Sequence, residues 1–159
     1  MSSTPSSTHP DFAHFDARAM SDGDMLRHVQ QNLVEPSRLL NTEFLSLDSA
    51  RGVATCRFKI VPAFCHSQGT ICQGGFLTGM VDIAMAHAAL AKGRFACAVP
   101  TLELKVSFLE PVGPGHVTAE GRVLRWGGSV GFLDSDLRDD KGRLIVHATC
   151  TVKIVRPKR

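Results

Sequence analysis

At 159 residues the chain has the length of one ordinary domain and too little for two comfortable cores. With 43% hydrophobic and 21% charged residues it reads as globular, which excludes the disordered and fibrous classes. The net charge of +3 is small, no dense basic cluster lies between the termini, and nine Phe with one Trp and no Tyr form no stacking platform. Nucleic acid is therefore not an expected partner.

The first 20 residues are rich in Ser, Thr and Pro and lack the apolar segment of a secretory signal. Asp11 and Asp16 also run against a transit peptide. Positions 1–20 are expected to be a disordered tail, and 21–159 a single domain. Ser21-Asp22-Gly23-Asp24 supplies cap chemistry for a short amphipathic helix over 25–34 that ends before Pro36. Residues 40–47 predict a strand, 48–52 a turn, and 53–61 a second strand in which Ala54, Cys56, Phe58 and Ile60 alternate with Thr55, Arg57 and Lys59. A loop over 62–72 leads to a helix from Gly74 to Lys92, closed by Gly93.

The second half is all strand. Over 101–108, Leu102, Leu104, Val106 and Phe108 share one face, opposite Thr101, Glu103, Lys105 and Ser107. Strands over 116–126 and 129–137 follow. After the turn at Asp139-Asp140-Lys141-Gly142, a last strand lines one face with Leu144, Val146, Ala148, Cys150, Val152 and Ile154. The expected class is α+β. A helix apolar nearly all round must be buried on most sides, so one antiparallel sheet of about six strands is expected to wrap it.

The longest apolar stretch, 76–91, is 16 residues interrupted by Thr78, Gly79, Asp82 and His87, which reads as too short and too polar to span a bilayer. No membrane association is expected, and the cytoplasm is the expected location. The five cysteines, 56, 65, 72, 97 and 150, form no CxxC or Cys/His ligand spacing. Cys65, His66 and Cys72 come nearest to a metal cluster but lack a fourth ligand at a usual spacing. Reduced, mostly buried thiols are expected, with no metal and no cofactor.

One residue breaks the apolar pattern of the long helix. Asp82 stands in the run Met80-Val81-Asp82-Ile83-Ala84, where burying an unpaired carboxylate costs several kcal/mol. Either it bonds to Thr78 one turn back or reaches solvent, or it works chemically. His87 is no partner for it, because five residues on a helix rotate about 500° and leave the side chains roughly 140° apart. The helix opens Gln73-Gly74-Gly75, whose backbone N–H groups and positive dipole end are suited to polarising a carbonyl. Gly74 and Asp82 are eight residues apart, so about 12 Å along the axis, too far for both to act on one carbon. If both are catalytic, Gly74 of one chain meets Asp82 of another at a symmetric dimer interface.

The run GTICQGGFLTGMVD, with PTLELKVSFLEPVGPG and DDKGRLIVHATCTVKI, resembles the hot-dog-fold acyl-CoA thioesterases of the PaaI-like (phenylacetic acid degradation) type. The likeness covers roughly residues 40–155, and its most specific part is Gln73, Gly74, Gly75 and then Asp82, backed by Thr101. It implies an acyl-CoA substrate, with Asp82 as nucleophile or as general base for water. It also implies that the Gly74 N–H polarises the thioester carbonyl, that Thr101 positions water or Asp82, and that the protein is a homodimer, as a dimer of dimers. Gln73 stands where the family often has His, and either Ser67 or His66 falls where it tends to have Asn. Arg125, Gly127, Gly128 and Ser129 lie where the family contacts pantetheine and nucleotide, and the terminal Arg-Pro-Lys-Arg adds charge for a phosphate. Met80, Ile83 and Met85 are expected in the acyl pocket. Two other readings compete: a hot-dog protein that binds acyl-CoA without hydrolysis, as sensor or carrier, and a hydratase or dehydratase on the same fold.

Overall fold

The computed structural model describes residues 17–156. The tail expected over 1–20 lies outside the described residues as far as position 16, and so does the Pro157–Arg159 end. The last residues counted with the tail are placed: Ala17–Ala19 form a 3-10 turn with Ala17 buried. Arg94 holds that turn by donating to the carbonyls of Ala17, at 3.1 Å, and Met20.

Helix α1 spans Asp22–Gln31. Ser21 caps it reciprocally, its hydroxyl accepting from the Asp24 N–H at 3.1 Å while the Asp24 carboxylate accepts from the Ser21 N–H at 3.1 Å. Met25 and Val29 form its buried face. Pro36 does not simply follow this helix. It sits in the first turn of a second one, α2 (Glu35–Leu39), where its missing N–H costs nothing. That helix displaces the first strand, β1, to Glu43–Asp48 rather than 40–47.

Strand β2 (Val53–Ile60) follows a turn in which Gly52 adopts φ 73°, a conformation side-chain-bearing residues resist. The expected 62–72 loop holds a short hairpin of β3 (Cys65–His66) and β4 (Ile71–Cys72). Helix α3 (Gly74–Lys92) is followed by β5 (Thr101–Phe108), β6 (Gly115–Trp126), β7 (Val130–Asp139) and β8 (Leu144–Lys153). The six long strands form one antiparallel sheet in the order β1-β2-β6-β7-β8-β5. The expected sheet of about six strands around a central helix is what forms.

The sheet closes on α3 through small residues. A Cβ on Gly121 in β6 would lie 2.4 Å from the Ala84 backbone, so glycine there lets sheet and helix touch. Met80, Val81, Ala84, Met85, Ala88 and Ala89 of the helix are fully buried, facing Phe58, Ile60, Leu133 and Val146 of the strands. Each large side chain so removed from water contributes about 1.5–3 kcal/mol. By length and composition alone this 19-residue helix is long and apolar enough to cross a membrane, which corrects the shorter reading of 76–91. The fold uses it as the core helix.

The face away from α3 carries a charged cluster beside exposed apolar side chains such as Phe132. Arg122 in β6 donates to Asp134 through two bonds of 2.9 Å and to Asp136 at 3.2 Å. One strand departs from the two-faced pattern. In β5, at the sheet edge, Leu104 and Val106 pack against the core, whereas Leu102, at a register shift between Thr101 and Glu103, is 59% exposed and Phe108 53% exposed.

Candidate active site

The N-terminus of α3 is shaped by Gln73. Its extended backbone, φ −70° and ψ 134°, makes it the N-cap, and its side-chain oxygen accepts from the Gly75 N–H at 2.8 Å. The Gly75 N–H is thus taken up by the cap. Among the described residues the Gly74 N–H meets no acceptor, and the helix dipole lies behind it. The Phe108 ring lies against the same residue: a Cβ on Gly74 would come 3.0 Å from the ring tip.

Asp82 lies two turns further along, half-buried. Its Oδ1 accepts a 3.0 Å hydrogen bond from the Thr101 hydroxyl, which β5 brings in at its first residue. Pairing with Thr78 is ruled out, because that hydroxyl donates back to the Gly74 carbonyl at 2.8 Å. The carboxylate also reaches the inner sheet. The Cys150 thiol is pushed up to about 12, mainly by burial and further by the Asp82 charge.

His87 belongs to the packing. Its Nδ1–H donates to the Ile83 carbonyl at 2.8 Å, its ring lies 4.3 Å from that of Phe44, and burial holds it down to about 4. It borders a cavity of about 680 Å³ between α1, α2 and the C-terminal half of α3, which includes neither Asp82 nor Gly74. Met80 and Met85 are 0% exposed, so they fill the core rather than wall an acyl pocket; Ile83 is half-buried. Among the described residues no three His, Cys, Asp or Glu side chains converge as a metal site requires.

The remaining candidates divide between two places. Ser67 lies exposed in the β3–β4 turn at φ 51°, its hydroxyl 2.9 Å from His66 Nδ1. Arg125, Gly128 and Ser129 are exposed at the β6–β7 turn. Ser129 accepts from the Ile154 N–H at 2.8 Å, and Arg156 donates to the Gly128 carbonyl, so this arginine is already engaged. Val130 pairs with Lys153 and Thr101 with the adjacent Val152. The turn is therefore across β8 from Thr101, roughly 10 Å away by strand spacing, on the Asp82 side and not the Gly74 side. Two features escaped the sequence reading: the Phe108 ring on Gly74, and the pairing of Cys65 with Cys72 across the hairpin. A signal for the second existed in the equal distances of the two cysteines from a Gln68-Gly69 turn.

Comparison with known proteins places this geometry. Residues 69–146 match the model of the thioesterase superfamily. A protein of Saccharolobus solfataricus named as an esterase is 32% identical over 121 residues, 76% of this chain and 84% of its own length. A phenylacetic acid degradation-related protein of Ralstonia eutropha JMP134, named as a thioesterase, superposes with TM-score 0.74 at 28% identity, covering 82% of this chain and 97% of that one. The PaaI protein of the Escherichia coli phenylacetic acid degradation operon superposes with TM-score 0.74 at 19% identity over 82% of this chain and 91% of its own. The chain belongs to the thioesterase superfamily and has the hot-dog fold of its PaaI-like members.

Proposed function

We propose that the protein is an acyl-CoA thioesterase in which Asp82 of one subunit and the Gly74 N–H of another act on one thioester. The observation that carries this reading is the Thr101–Asp82 hydrogen bond, which holds a half-buried carboxylate in a fixed orientation on an apolar helix. Asp82 attacks the carbonyl or draws the proton from an attacking water. Negative charge gathers on the carbonyl oxygen in either case, where the Gly74 N–H and the helix dipole stabilise it, and CoA leaves as thiolate. Thr101 keeps the carboxylate aimed, and the Gln73 amide, its oxygen spent on the cap, presents N–H donors beside Gly74. In this reading Arg125, Gly128, Ser129 and Ser67 receive the CoA portion, and the protein acts in the cytoplasm.

The homodimer is supported by β5. An exposed apolar edge bearing Leu102 and Phe108 is a surface that a second copy would cover, next to both Thr101 and Gly74.

The test combines single and mixed variants. Asp82→Asn is expected to lower turnover at least about a hundredfold with the oligomer intact. When Asp82→Asn chains are mixed with Gly74→Val chains, each mixed dimer has one site with both lesions and one with neither. Mixing is then expected to restore about a quarter of wild-type activity. No restoration means the two residues do not act across subunits. Full activity in Asp82→Asn ends the reading, and tight acyl-CoA binding without thiol release replaces it with a non-hydrolytic carrier.

A further inference from the structure

Cys65 and Cys72 stand directly opposite each other in the β3–β4 ladder. The backbone shows which kind of pair they are. The Gln73 N–H, one residue past Cys72, donates at 2.9 Å to the Phe64 carbonyl, one residue before Cys65. The Cys72 N–H turns outward instead, to the Val112 carbonyl at 2.8 Å. Cys65 and Cys72 are thus a non-hydrogen-bonded antiparallel pair, the class whose Cα atoms are about 4.5 Å apart with side chains on one face. That spacing lies inside the roughly 4.4–6.8 Å that a disulfide spans. Burial pushes the Cys72 thiol up to about 11, and Cys65 beside it adds to that push.

The other cysteines have no such arrangement in the ladders. Cys56 faces Phe44 and Ala119, and Cys150 faces Leu104 and Leu133. Cys65 is the half-buried thiol of the five, while Cys56, Cys72, Cys97 and Cys150 are buried. Access and partner therefore coincide at this one pair.

We propose that Cys65 and Cys72 are a redox pair, which a peroxide converts to a cross-strand disulfide that slows the thioesterase site. The pair lies where a crosslink would be felt. Cys72 directly precedes Gln73, the cap of α3, and Gly74. The turn between the cysteines already runs through three left-handed residues, Ser67 at φ 51°, Gln68 at 59° and Gly69 at 79°, so it has little room to absorb a change in strand separation. In the reaction the Cys65 sulfur attacks a peroxide oxygen, the O–O bond breaks, and the sulfur becomes a sulfenic acid as water leaves. The Cys72 sulfur then attacks that sulfur, the S–S bond forms, and the S–O bond breaks to release a second water. Two thiols and one hydrogen peroxide thus give one disulfide and two waters, and a dithiol reductant reverses the change.

The effect on turnover rests on the thioesterase reading, whereas the crosslink does not, and the experiment keeps them apart. The reduced full-length chain is treated with hydrogen peroxide, freed of it, and divided between peptide mass spectrometry and hydrolysis of an acyl-CoA followed by thioester absorbance. A peptide joining residues 65 and 72 is expected, together with a fall in turnover of about tenfold that dithiothreitol reverses. Cys65→Ser, and separately Cys72→Ser, should form no such peptide, and Cys65→Ser should keep its turnover after peroxide. The absence of the 65–72 linkage overturns the proposal, and so does a linkage that leaves turnover unchanged. If the reduced protein has no thioesterase activity while the linkage forms and reverses, the redox pairing stands and the thioesterase reading is what fails.

Discussion

Replacing Thr101 by Val removes one hydroxyl from a site whose other parts stay in place. Valine keeps the shape and the β-branching that suit the first residue of β5, so the strand is expected to form as before. What disappears is the 3.0 Å bond to Asp82 Oδ1. A hydrogen bond to a charged acceptor contributes about 1.5–3 kcal/mol net. Thr101 is exposed, so water replaces part of that contact and the lower end applies. About 1.5 kcal/mol of lost alignment corresponds to a fall of about tenfold in kcat. KM should barely move if Thr101, as proposed, acts through Asp82 and does not grip the substrate. Thr101→Ser, which keeps a donor, should recover most of the loss. Steady-state acyl-CoA hydrolysis by the three proteins decides the matter, with a urea midpoint to show that stability is unchanged. An unaltered kcat in Thr101→Val would refute the positioning role. A loss as deep as that of Asp82→Asn would also refute it, since the hydroxyl would then be doing chemistry of its own.

Gly74→Ala puts a methyl 3.0 Å from the Phe108 ring tip. Alanine's better helix propensity, about 0.5–1 kcal/mol, offsets part of the crowding. The melting temperature should therefore change little while kcat/KM falls about tenfold, the loss coming from restricted approach to the N–H. Gly121→Ala is the opposite kind of change, since its Cβ would fall 2.4 Å from the Ala84 backbone. It should lower the unfolding free energy by about 3 kcal/mol, read from urea titration, with no specific effect on the activity of the folded fraction. His87 makes stability depend on pH. Its folded value of about 4 lies below its ordinary 6.5, so the unfolded chain binds more protons in between. The stabilisation is complete above about pH 6.5 and is lost as the pH falls towards 4, for a total of roughly 3 kcal/mol. Urea midpoints from pH 7 to pH 4 should fall more steeply in the wild type than in His87→Leu, and parallel curves would contradict the assignment.

The sequence carried the large elements because their patterns are local. The long apolar helix, the strand alternation and the turn glycines at 52 and 142 each mark themselves within a few residues. Helix α2 was not legible because Pro36 reads equally well as the end of one helix and the first turn of the next. The β3–β4 hairpin was too short to show an alternation. In the site, the spacing of Gly74 and Asp82 was plain, and so was the unsuitability of His87. That Gln73 would spend its oxygen on the Gly75 N–H was not, since it depends on one side-chain rotamer. The Phe108 contact was hidden for a different reason: it joins residues 34 positions apart, which only the closed sheet brings together.

Only the two ends of the apolar row in β5 are exposed. Six strands curl over α3, and the helix lies mainly against β2, β6 and β7, so the edge strand keeps Leu104 and Val106 on the core while Leu102, at a register shift, and Phe108 stay open. Leu102 and Phe108 therefore alternate like core residues yet remain open in the single chain. β5 begins with Thr101 on Asp82 and ends with Phe108 on Gly74. One edge strand thus runs between the two groups that a straight helix keeps about 12 Å apart. A two-fold axis through the middle of such a strand would exchange its ends, bringing the Gly74 end of one copy to the Asp82 end of the other. The apolar side chains that the fold leaves uncovered and the two groups that the helix separates would then be brought together by one antiparallel pairing.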